Sequence, residues 1–534
     1  MYETNRFDQL CLACITGMIL LGGRAAIASP TDNSIVFGQS TAIVDLGPAY
    51  AAFQNYPGGY EASFAVYDRL VTFDANLNIR PQLAERWERS TDNRSMTFFL
   101  RRGATFHDGT PVNAEAVKFN IHRMMDSKIN TTNRPLWDPI AAADVLDDHT
   151  IVIRTKRPFA LMLNTLAHGS GALVSPSAIQ KYGQRSMALS PVGAGPYMVE
   201  KFKPGQLLVL KAFADYWGGK PSAKKLVFRH IPDASTRIAA LRSGAVDIID
   251  SVPVHMVSSL SRDPRLKVLT TSGLRPMGLA ILSTREPLND LRVRHAINHA
   301  IPVKLIAAKV FMGLARVSDA PLAFNTVGHQ RIGSYEYSPA RAKALLAQAG
   351  FQDRDHDGIV ERNGEPFTLT LMTSEGAFPK DVLVAQVVAH SLKVIGIDVT
   401  IAKVERGSYW DALRLKANEL KWDLALFGFN PSNASGLYHL SSMYRSNPDD
   451  AERPSVWNIA RFRNTKVDEL LEEAFVTVDL AKRKELLGRA QGLIWNEAPY
   501  AWMYVDDVVS AARRELLVAE VWPFSFTITR NAHY

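Results

Sequence analysis

Apolar and polar positions along the chain follow two periods. "SMTFFLRRG" (95–103) is β-branched and aromatic, "TIVIRT" (150–155) alternates apolar with polar, and "LVFRHI" (226–231) does the same; all three predict strands. "PARAKALLAQAGF" (339–351) repeats Ala and Leu at helical spacing, opens on Pro339 and stops at Gly350, which predicts a helix. "DLAKRKELLGRAQGLIWNEA" (479–498) is a second amphipathic helix. Before the first strand, Trp87 lies in an extended segment and "TDNRS" is a polar turn, so this stretch predicts a hairpin. "HDGTP" (107–111) has turn chemistry, and Asn113 is placed to cap a helix with Val117, Ile121 and Met124 on one face. Strands and helices mix over the whole length, which is the α/β class. No repeat and no Pro/Gly/Ser-rich linker divides the 534 residues, so the domains are expected to be interwoven.

Residues 10–23, "LCLACITGMILLGG", form one apolar run, too short to span a bilayer comfortably, and Ala26-Ile27-Ala28 precedes Ser29 in the A-x-A form of a cleavage site. The n-region is weak, since Arg6 is offset by Glu3 and Asp8; a buried first helix is the other reading. The expectation is a signal peptide over 1–28, cut between Ala28 and Ser29, and a soluble exported chain. Both cysteines, Cys11 and Cys14, fall inside this segment without a lipobox. The mature chain then has no disulfide, no thiolate metal site and no cysteine nucleophile.

Composition is ordinary for a globular protein, with 47% hydrophobic and 21% charged residues. The net charge of +8 comes from 61 basic residues scattered among 53 acidic ones. No basic block tracks a phosphate backbone, so no nucleic-acid partner is expected.

Catalytic signatures are missing. "HGSGA" (168–172) fails as a nucleophile elbow, there is no phosphate-binding G-x-x-x-x-G-K-[ST], and "GAGPY" (193–197) is too short for a dinucleotide fingerprint. His107 and Asp108 are neighbours in a turn and are poorly placed to share a proton. "DRDHDGIVERNGE" (353–365) sets Asp353, Asp355, Asp357 and Gly358 at calcium-loop positions, but Gly364 stands where a bidentate Glu belongs. A solvated turn is the better reading. His295 and His299 are four apart on a helix without an evident third ligand, so no metal site is assigned.

"PQLAERWERSTDNRSMTFFLRRGATFHDGTPVNAEAVKFN" (81–120) resembles the signature block of the solute-binding proteins of peptide-type ABC transporters, solute-binding family 5. Further blocks agree in order, at 190–221, 237–250, 289–301, 337–351, 464–474 and 493–507. The resemblance implies a two-lobe, type II periplasmic-binding-protein fold with an extra domain inserted in the first lobe. It divides the chain into lobe I (29–60, 191–270, 486–534), the inserted domain (61–190) and lobe II (271–485). It also implies a periplasmic, non-enzymatic protein that needs no cofactor, works as a monomer, and hands its solute to a membrane permease with ATPase subunits. The solute would be a dipeptide, oligopeptide or glutathione-like molecule. A nickel or metal-chelate binder is the alternative within the family, and a secreted hydrolase the alternative outside it.

By the same resemblance one wall of the ligand cleft is "LALFGFNPSNASGLYHL" (424–440). Phe429 takes the place of a family tryptophan, and Ser432, followed by Asn433, stands where amino-end binders carry an aspartate. No acidic residue occurs from 424 to 440, and this stretch looks closest to the glutathione-type members. "LAHGSGALVSPSAIQKYG" (166–183) resembles that subgroup too and brings His168 toward the cleft. Tyr56 and Trp137 are further candidates, as polar-tipped aromatics in loops expected to border it.

Overall fold

The computed structural model describes residues 33–48, 57–129, 131, 133–447, 457–517, 520–523, 526–528 and 533. The proposed signal segment, its cleavage point at Ala28 and Ser29, and Tyr56 lie outside them.

One eleven-stranded sheet runs through the described chain. At one end, Thr368–Glu375 pairs in parallel with Asp398–Glu405 and with Leu424–Gly428. At the other, Ser34–Gln39 pairs in parallel with Lys225–His230 and Ile248–Ile249, and the sheet continues through Leu207–Ala212 to Tyr197–Lys203. Between the two parallel groups lie two long antiparallel strands, Leu266–Ile281 and Tyr500–Arg513. The first also pairs with Leu424–Gly428 and the second with Ile248–Ile249, so this pair carries the chain from one group to the other. Strands covered on both faces are buried at every position, as Ser34–Gln39 and Leu424–Gly428 are.

A separate four-stranded antiparallel sheet contains Ala84–Arg89, Ser95–Leu100, Thr150–Thr155 and Ile140–Asp147. Ser95–Leu100 forms the strand that the sequence predicts, and its positions alternate between partly exposed and buried. Trp87 pairs with Phe98 across the hairpin. The predicted helices form at Ala114–Met125, Pro339–Gln348 and Leu480–Glu497, capped by Asn113, Ser338 and Asp479. Each cap side chain accepts a backbone N–H that the first turn leaves unpaired.

The His107–Asp108 turn is structural. The His107 ring bonds Gly195 O at 2.9 Å and accepts Gly193 N–H at 3.3 Å. Asp108 points elsewhere and takes hydroxyls from Thr110, Ser175 and Ser177 at 2.6 to 2.9 Å. The glycines of "GAGPY" are there for close approach: a Cβ on Gly193 would sit 2.1 Å from Val66 O, and one on Gly195 2.6 Å from Ala65 O.

Candidate functional site

Parallel strands place their C-terminal ends on one edge of a sheet, where ligand crevices form in open α/β folds. Here Thr368–Glu375, Asp398–Glu405 and Leu424–Gly428 end on the same edge. The segments that follow carry Phe378, Trp410 and Phe429. Trp410 lies 5.8 Å from Phe378 and 6.1 Å from Trp457, and Phe429 lies 6.0 Å from Trp457, centroid to centroid. Phe429 is only 8% exposed and also touches Tyr438 and His439. It is an element of this aromatic wall, held by protein rings.

The loop after Leu424–Gly428 is met by a segment distant in sequence. His168 Nε2 is 2.9 Å from Ser432 Oγ and 3.2 Å from Tyr60 OH. Its Nδ1 accepts the Ser170 N–H at 3.0 Å and lies 2.8 Å from Ser170 Oγ. Trp137 Nε1–H donates to that hydroxyl at 2.9 Å. With Nδ1 accepting, the proton of the neutral ring is on Nε2, so His168 donates toward Ser432. Burial, and then the nearby Arg69 cation, push the His168 pKa down to about 3. Arg69 itself donates to His168 O at 3.1 Å.

Trp137, expected at the cleft border, is instead 2% exposed and inside the core. It sits in the short helix Arg134–Trp137 and steadies His168 from behind through Ser170. Asn433 is fully buried; its carbonyl accepts from Asn164 Nδ2 at 2.9 Å and its Oδ1 from Ser435 N–H at 3.2 Å. Its Nδ2 has no hydrogen-bond partner among the described residues. The contact continues along the same segment: Arg157 pairs with Glu472, Phe159 packs on Phe475 at 5.2 Å, and Ala160 N–H donates to Phe475 O at 3.0 Å.

Tyr60, Trp410 and Trp457 were not among the sequence candidates. For Trp410 the usable signal was the end of a parallel strand; for Tyr60 there was none beyond its nearness to Tyr56.

The other motifs stay apart from this edge. His295 Nε2 bonds Asn496 O and His299 Nδ1 bonds Glu336 O, each at 2.8 Å, so each ring spends a nitrogen on a different carbonyl. In the acidic turn it is Glu361, not residue 364, that joins Asp353 and Asp355, with one oxygen of each within 4.8 Å of the others. These carboxylates accept the turn's own amides, from Arg354, Asp355 and Gly358.

Among the described residues no helix is long and apolar enough to cross a membrane. Residues 78–451 match the family described as "Bacterial extracellular solute-binding proteins, family 5 Middle". The glutathione-binding protein GsiB of Escherichia coli (strain K12) is 28% identical over 96% of this chain and 98% of its own. The periplasmic binding protein DppA from Helicobacter pylori, solved in complex with the peptide STSA, superposes with a TM-score of 0.78 at 26% identity, over 93% of this chain and 98% of that one. NikZ from Campylobacter jejuni, solved with Ni(L-His), gives 0.81 at 23% identity, covering 94% and 100%. The fold is thus the type II, two-lobe arrangement shared by these structures.

Proposed function

Because the chain belongs to the bacterial extracellular solute-binding proteins of family 5, we propose that it captures a short peptide or peptide-like solute, glutathione-like molecules included, and delivers it to an inner-membrane ABC permease with its ATPase subunits. In this reading it is exported by a signal peptide, works as a monomer and catalyses nothing. Lobe I comprises 29–60, 191–270 and 486–534, the inserted domain 61–190, and lobe II 271–485; the separate four-stranded sheet falls within the inserted span.

One observation carries the choice of solute. The loop that faces His168 offers Ser432 and Asn433, and no acid, from 424 to 440. His168, Ser432, Asn433 and the wall containing Phe429 are proposed to border the solute, with Trp137 as a support. Ligand bridging the two lobes stabilises the closed form by its differential affinity for it. Mass spectrometry of the solute recovered from protein purified out of the periplasm tests this directly: a peptide or glutathione-like molecule is expected, and a sugar or lipid would overturn it.

A nickel or metal-chelate ligand is the second reading. It is favoured by His439, buried beside Phe429 with no partner for Nδ1 among the described residues. Burial pushes its pKa down to about 3, which keeps the imidazole in the neutral, metal-ligating form. Metal content of the same preparation separates the two readings.

A further inference from the structure

The two long strands that join the halves of the sheet are irregular at one place. Ser272 pairs with Asp507 and Pro276 with Val505, so residues 273–275 face Asp506 alone. Such a bulge bends the strand and re-aims a side chain. Gly273 permits it, since a Cβ there would lie 2.8 Å from Asp506 O. The residue re-aimed is Arg275. Its guanidinium carbon lies 5.3 Å from the centre of the Phe378 ring, on the aromatic edge described above. Gly428, at the end of the neighbouring strand, leaves room for it: a Cβ would fall 2.8 Å from Arg275 Cγ.

The cation is under-used. Its ion pair is a single contact, Nη2 to Asp506 Oδ2, at 3.4 Å. Its Nε is buried and has no hydrogen-bond partner among the described residues. The side chain is nevertheless 19% exposed. A guanidinium has five donors in a fork that suits a carboxylate two at a time, and Arg275 spends one of them on a long contact. The other carboxylate nearby does not compete: an oxygen of Asp381 takes the Ser374 hydroxyl at 2.7 Å and the Gly376 and Ala377 N–H groups at 2.9 and 3.1 Å.

We infer that Arg275 is the charged anchor of the cleft and takes a carboxylate of the solute where the two lobe-joining strands bulge. The inference rests on the solute-binding reading above and narrows it: the solute is recognised by its acid end. With no acid on the facing loop and a half-satisfied arginine on the floor, polarity favours an anion here. A carboxylate at this point would share Arg275 with Asp506 and form the shorter, two-point contact that Asp506 does not make. Because Arg275 stands on a joining strand and reaches the aromatic edge, that contact would bear on lobe closure as well as on affinity.

The test is calorimetry on the full mature chain, stripped of co-purified solute, with glutathione, trialanine and trialanine amide. The wild type is expected to bind trialanine at least about tenfold more tightly than its amide. Arg275→Gln is expected to lose that preference while keeping the amide affinity, Arg275→Lys to fall between, and Asp506→Asn to keep the preference. Equal binding of acid and amide by the wild type overturns the inference, as does a preference that survives in Arg275→Gln. If none of the three probes binds the wild type, the peptide reading fails by itself. Arg275 is then judged on the solute recovered from the periplasm: an anion that Arg275→Gln no longer retains upholds it, and a neutral or cationic solute, or an anion still retained, refutes it. Should Arg275→Gln not fold, Arg275→Lys and the acid–amide comparison in the wild type decide.

Discussion

Ser432 and His168, 264 positions apart in the chain, meet at 2.9 Å through a hydroxyl and a ring nitrogen. Both groups are neutral, for burial holds the histidine uncharged far below physiological pH. A ligand ammonium arriving here would lose its water without gaining a carboxylate, an uncompensated desolvation of several kcal/mol. The expected outcome is that an N-acetylated peptide binds at least as well as the free one, and in any case less than about tenfold, roughly 1.4 kcal/mol, more weakly, as read by calorimetry. A larger loss would mean that an acid elsewhere holds the amine; buried Glu61, which accepts from Gln39 one residue after Tyr60, is where to look.

Three histidines whose pKa values burial depresses make stability depend on pH. Burial lowers His107 to about 4 and His168 and His439 to about 3. The folded chain therefore keeps them neutral, whereas the unfolded chain protonates them below about 6.5. Each contributes stability that is present above that value and lost as pH falls toward the folded pKa, on the order of 2 kcal/mol per histidine between pH 7 and 5. Urea unfolding at both pH values is expected to show the midpoint drop at pH 5. His439→Phe should flatten the drop. A midpoint indifferent to pH over this range would sink the account.

His107 is expected to matter for stability and not for binding. His107→Ala strands Gly195 O and Gly193 N–H, at about 1–3 kcal/mol for buried groups left unpaired. Solute affinity should stay within a few-fold. A hundredfold loss of binding, about 2.7 kcal/mol, in a protein with unchanged circular dichroism would place the turn in the site after all. Gly193→Ala should be worse for folding, with its methyl 2.1 Å from a backbone oxygen.

Export is checked by intact mass. Protein recovered from the periplasm is expected to begin at Ser29, where the A-x-A pattern ends. A retained Met1 or a lipidated Cys14 contradicts it.

What could be read in advance was local. The strand at 95–100 and the cap at Asn113 depend on residues a few places apart, and both are found where the pattern puts them. The site depends on register between distant segments, which no local period encodes. Arg275 owes its direction to a bulge against Asp506, 231 residues on. Trp137 shows the complementary difficulty: an indole has the same appearance in sequence whether its N–H meets a solute or, as here, Ser170. In the acidic turn, strict spacing pointed to Gly364, while the chain folds Glu361 inward instead.

The central position of Tyr500–Arg513 in the large sheet has a consequence for folding. This strand sits between Leu266–Ile281 and Ile248–Ile249, yet it follows both far along the chain. Neither half of the sheet can close its inner edge until this strand is in place. Contacts of such long sequence separation form slowly. The two halves of the sheet therefore cannot finish folding independently, so this one strand couples the completion of both.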